Sequence, residues 1–185
     1  MLWNYILILS LVLFNLNKNA ENNPGQVIDQ FNGVEVYYNG SVSNVFGRNI
    51  SEDGYNIGLL YQCVEFVKRY YYEIYDHKMP YSYGHAKDLF DASLEDGGFN
   101  EERALFQYQN GSVSKPRSGD IVVFGATDAN PFGHAGIICS VNEDHIILIQ
   151  QNVGKRTRMK YPLVDHKGLS YLSNPRILGW LRKEA

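Results

Sequence analysis

The order of apolar patterns along the chain predicts an α+β fold, with N-terminal helices packed on a curved, largely antiparallel sheet. Two observations carry this. From Leu60 to Tyr75, Val64, Val67, Tyr71 and Ile74 recur at three- and four-residue spacing, with Phe66 and Tyr70 as an adjoining row, the period of a helix. After Lys115-Pro116 the period changes, and DIVVFG, GHAGIICSV and HIILIQQNV read as apolar runs of strand length separated by turn residues. Helical segments first and strands afterwards give the α+β arrangement.

Taken in order, the chain opens with YILILSLVLF over Tyr5 to Phe14, apolar apart from Ser10. That is the length of the apolar core of a secretory leader, and well short of the roughly 20 residues a spanning helix needs. No Lys or Arg precedes the run, Lys18 follows it, and Ala20 could sit just before a cleavage site. Residues 1–20 therefore read as a leader, which implies a secreted or periplasmic protein with no membrane span once it is removed; an N-terminal core helix is the alternative. GVEVYYNGSV reads as a strand ending in an Asn39-Gly40 turn, and NVFGRNISEDGYN as loop. The helix at Leu60–Tyr75 follows, closed off by Pro80. A second, shorter helix is expected over Gly84 to Leu94, stopped by Gly97-Gly98. TRMKYPL alternates as a strand does, and ILGWLR makes the last one.

The chain has 185 residues, 44% hydrophobic and 20% charged, with a net charge of −3, which suits one domain over residues 26–185 with an ordinary core. The mild negative charge argues against a nucleic-acid partner. Neither a metal-binding His pair nor a phosphate-cradling Gly loop is present, so no metal or other cofactor is expected. Asp128-Ala-Asn130 reads as a turn in preference to a calcium loop.

Cys63, in YQCVEF, falls at or near the start of the long helix, where free N–H groups and the helix dipole favour a thiolate. A buried structural thiol is the other reading of this segment. Of five histidines, His134 opens an apolar strand in the small-residue frame PFGHAG, which suits an imidazole facing a groove and able to deprotonate a thiol. Gln150, in QQN on the next strand, can accept a hydrogen bond from the ring, with Asn152 on the same face and Gln151 on the other. Cys139 lies on the opposite strand face from His134 and reads as a small buried hydrophobe pointing away from Cys63 and His134.

YQCVEFVKR, SGDIVVFG, GHAGII, IQQNV and ILGWL, in this order, resemble the CHAP family of cysteine- and histidine-dependent amidohydrolases and peptidases. The likeness runs from about Gly33 to Leu181 and extends to the amidase domain of glutathionylspermidine synthetase/amidase. It implies a papain-like fold in which Cys63 is the nucleophile, His134 the base and Gln150 the orienting group, where those relatives carry glutamate. It also implies that Gln62 and the Cys63 N–H line the oxyanion hole and that Asn152 contacts substrate. Lys68, on the substrate side, stands where the amidase has an arginine, so a bidentate carboxylate clamp would be lost there. The implied activity is hydrolysis of an amide through a thioester, with a cell-wall peptide or other extracytoplasmic amide as substrate. Glutathionylspermidine is one alternative. An inactive secreted binding module is another, motivated by the neutral Gln150.

Overall fold

A computed structural model describes residues 23–184, in which one α-helix lies against an eight-stranded sheet. The leader expected over residues 1–20 lies outside the described residues. The strands are β1 (Val27–Phe31), β2 (Val34–Tyr37), β3 (Arg48–Ile50), β4 (Asn56–Leu59), β5 (Phe99–Asn100), β6 (Leu105–Gln109), β7 (Ile121–Phe124), β8 (His134–Val141), β9 (His145–Ile149), β10 (Arg158–His166), β11 (Leu169–Leu172) and β12 (Ile177–Arg182). The helix, α1, spans Cys63–Tyr75. The large sheet has the order β11-β10-β9-β8-β7-β12-β6-β5, and β1-β2 and β3-β4 form separate two-stranded ribbons. Every strand pair is antiparallel. Among the described residues no helix is long and apolar enough to cross a membrane.

Alternation along β7 sends Ile121 and Val123 to one face and Val122 and Phe124 to the other, and all four are buried. The first face packs on Phe66, Val67, Tyr70 and Tyr71 of α1, with Ala135, Ile137 and Ile149 from the neighbouring strands. Among the described residues no helix packs on the second face. Val122, Ile138, Leu148 and Trp180 nevertheless have no exposed surface, because the sheet curls over itself. Its far strand β11 meets the segment after β6 through a Ser112–Ser170 bridge, and the Asn110 side chain bonds both the N–H and the carbonyl of Leu172.

Three sequence expectations change. The segment Gly84–Leu94 forms only a 3-10 turn at Ala86–Leu89. The Gln107 side chain takes the Asp91 N–H at 2.9 Å and the Asp91 carbonyl at 2.7 Å, and Asp91 Oδ1 holds the Ser93 N–H, so these groups are withdrawn from any helical ladder. The Asn-rich stretch read as loop contains β3 and runs into β4, whose Asn56 side chain accepts from Arg48 at 2.9 Å. Cys139 shares a face with Ala135 and Ile137 on β8, so it packs against the same cluster as Cys63 instead of pointing away. It stays partly exposed, its thiol donating to the Ile147 carbonyl at 3.3 Å.

Candidate active site

The chain reaches α1 through Tyr61, at a left-handed φ of 65°, and an extended Gln62, which together set Cys63 as the first helical residue. The helix therefore starts three residues later than its apolar period suggests, and the thiol sits at the positive end of the dipole. Cys63 keeps 9% of its surface open. Burial pushes its thiol up. The charge and hydrogen bonding of His134, aided by the N–H groups of Ala135 and Val64, outweigh burial and hold the thiol below its ordinary range.

His134 is the first residue of β8, opposite Phe124 on β7. The turn that delivers it needs Gly133, at φ 72°, because a Cβ there would come within 2.4 Å of the Phe124 carbonyl. Burial disfavours the charged ring, yet the Cys63 thiolate and Gln150 raise His134 above the ordinary histidine value. Its Nε2 donates to Gln150 Oε1 at 2.8 Å, which leaves Nδ1 for the thiol. Gln150 follows β9 directly and is 4% exposed, so its amide is held in place. Thiol and ring thus shift each other in opposite directions, the thiol down and the ring up.

Gln62 and Asn152 meet beside this trio. Asn152 Nδ2 donates to Gln62 Oε1 at 2.6 Å, and Asn39 Nδ2 donates to Asn152 Oδ1 at 2.8 Å. Gln62 Nε2 donates to the Asn44 carbonyl at 2.7 Å, so this amide faces the loop after β2 instead of the thiol. Lys68 lies elsewhere. It is 1% exposed, with its ammonium on the carbonyls of Asn56 and Ser82 and over the Tyr55 ring. In that position it ties β4 to the segment before the 3-10 turn and is closed off from the surface a substrate could reach.

Sequence reasoning missed the residue that joins the elements. Gln151, 1% exposed, donates to the Gln62 carbonyl at 3.0 Å and to Glu65 Oε2 at 2.8 Å, while its Oε1 accepts the Tyr37 N–H at 2.8 Å. Glu65 also pairs with Arg69 at 2.7 Å within α1. The Glu65–Arg69 spacing of four residues, on the helix that carries the thiol, is the sequence signal that could have drawn attention to this cluster. Asp128 and Asn130 lie in a turn bridged between Thr127 and Asn130. No group of three metal-ligating side chains occurs among the described residues.

The CHAP domain family model matches residues 52–152, more than half of the chain, and that span contains Cys63, His134 and Gln150. Trypanothione synthetase from Crithidia fasciculata is 29% identical over 140 residues, covering 71% of this chain but 21% of that protein's length. Among solved structures, Ly7917 with the hydrolyzing product of MDP is 20% identical and covers 65% of this chain and 53% of its own. Its TM-score is 0.38, an overlap too loose to argue from. From the extent of the family match, with the thiol, ring and amide assembled inside it, the chain belongs to the CHAP domain family.

Proposed function

We propose that the protein is a cysteine-dependent amidohydrolase with a papain-like arrangement of helix and sheet. Family membership supports hydrolysis of an amide bond. The observation that carries the cysteine mechanism is the Cys63–His134–Gln150 alignment, with the thiol lowered and the ring raised. Cys63 Sγ attacks the amide carbonyl carbon, and the oxyanion is met by the Cys63 N–H at the helix start. For Gln62 to contribute, its amide must leave the Asn44 carbonyl. His134 passes its proton to the departing amine nitrogen as the C–N bond breaks, leaving a thioester. Water, deprotonated by the same ring, then cleaves the thioester to a carboxylic acid and restores the thiol. Asn152, through Gln62, fixes the substrate side of the groove.

The leader-like sequence at residues 1–20 supports an extracytoplasmic substrate, for which a cell-wall peptide is the first choice. A glutathionylspermidine amide is the second, favoured by the likeness to trypanothione synthetase.

Two measurements test this. Wild-type protein and Cys63→Ala are incubated with purified peptidoglycan and with glutathionylspermidine, and the products compared by mass spectrometry. Release by wild type alone is expected, from peptidoglycan first. Iodoacetamide labelling of Cys63 is followed against pH, with half-labelling expected below the range of a free thiol. Release from neither substrate, together with an ordinary thiol titration, would overturn the reading in favour of a binding module.

A further inference from the structure

Arg176 stands just before β12, its carbonyl accepting the Gly125 N–H at 2.7 Å. The buried cations Arg69 and Arg182 each face a carboxylate, Glu65 and Asp120, at 2.7 Å. Arg176 has no ion pair among the described residues, and its Nε and Nη2 are withdrawn from solvent with no hydrogen-bond partner. The residue as a whole is half-buried, so the guanidinium is reached from its open side and offers an anion an unpaired charge.

The position of Arg176 says which anion. Ile177 pairs with Phe124, and Phe124 pairs with His134, so Arg176 starts roughly 10 Å from His134, two strand spacings across the sheet. The Phe124 ring lies 5.8 Å from the His134 ring and 5.6 Å from Tyr161. The Arg176 charge acts on both, opposing protonation of the histidine and favouring ionisation of the tyrosine.

Resting on the amidohydrolase reading above, we propose that Arg176 binds a carboxylate on the amine side of the scissile amide. The leaving nitrogen must lie next to His134 to receive its proton, so whatever that nitrogen carries extends past the histidine. A guanidinium beyond the ring accepts a carboxylate through its planar fork and repels an ammonium. The substrate class is then an amide whose leaving group is an amino acid or peptide bearing a free carboxylate, in preference to a polyamine.

The test uses three thiol reagents with one warhead, N-iodoacetyl-glycine, N-iodoacetyl-glycinamide and N-iodoacetyl-1,4-diaminobutane. Each places its amide substituent where a leaving group would sit, and site-resolved mass spectrometry separates Cys63 from Cys139. In wild type the carboxylate reagent should label Cys63 fastest and the cationic one slowest. Arg176→Gln should lower the glycine-to-glycinamide rate ratio about tenfold, the scale of one charge-assisted hydrogen bond, while Arg176→Lys keeps most of it. Equal rates for the three reagents in wild type would overturn the proposal even if Arg176→Gln does not fold, and so would a ratio unmoved in a folded Arg176→Gln. The pH dependence with the neutral reagent reads the thiolate alone, so failure of the amidohydrolase reading appears there and failure of the carboxylate site in the ratio.

Discussion

Gln150 and Gln151 are chain neighbours at the end of β9, on opposite faces, and they hold the two halves of the site in different ways. Gln150 makes one side-chain bond, to His134. Gln151 bonds the helix start through Gln62 and Glu65, the β2 backbone through Tyr37, and Arg69. The thiol's platform is thus fixed by a dense, buried, charged network, whereas the base is oriented by a single neutral contact. Removing a member of the first should cost folding free energy. Changing the second should alter rate and leave the fold intact.

The largest expected effect comes from Gln151→Leu. It strands the Tyr37 N–H and takes one of two donors from the Gln62 carbonyl, which keeps the Phe66 N–H, and from Glu65 Oε2, which keeps Arg69. At about 1–3 kcal/mol for the stranded N–H and about 1 kcal/mol for each of the two lost bonds, more beside the charge, a loss of about 3 kcal/mol or more is expected in urea unfolding. A loss below about 1 kcal/mol would break the comparison, since both glutamines would then be equally dispensable to the fold.

Gln150 should move rate in both directions. In Gln150→Ala the imidazole loses its orienting acceptor, and activity should fall roughly tenfold to a hundredfold, part of the factor a positioned base supplies. In Gln150→Glu a carboxylate beside the ring favours the imidazolium, so His134 rises further and the alkaline limb of the pH–rate profile moves up. The urea midpoint of Gln150→Ala should shift far less than that of Gln151→Leu. Equal rates for Gln150→Ala and wild type would mean that another group orients His134.

The contrast between the glutamines also marks what the sequence could reveal. The helix and strands β7, β8, β9, β10 and β12 announce themselves through local apolar periods, and Cys63, His134 and Gln150 stand out by residue type at the ends of those elements. The partners of Gln151 lie 114, 89 and 86 residues away, so no local pattern could expose its role. Gln107 acts on the expected second helix from 16 residues away, also beyond any local pattern, and β3 and β4 are too short to show a period. Lys68 entered only through the resemblance, as the residue standing where the amidase has an arginine, and no local pattern shows that its long stem carries the ammonium to carbonyls of two other segments.

Lys68 provides the smallest and most selective test, one of the platform alone. Burial, then the charges of Arg103 and Arg48, push its ammonium down to about 7, with Glu65 opposing. In the unfolded chain the same group binds its proton up to the ordinary lysine range, so between these limits the unfolded state carries more protons. Stability should therefore rise with pH from about 7 upward, by at most about 1.4 kcal/mol per unit from this group, and the Lys68 contribution should be flat below about 7. Lys68→Met removes the titration together with two hydrogen bonds. Its unfolding free energy should start lower but rise less steeply between about pH 7 and pH 9 than that of wild type. Parallel slopes would mean that the Asn56 and Ser82 carbonyls keep Lys68 charged throughout. The network around α1 would then hold three buried ions, Glu65, Arg69 and Lys68, against the single neutral contact at His134, and the difference between the two halves would be wider still.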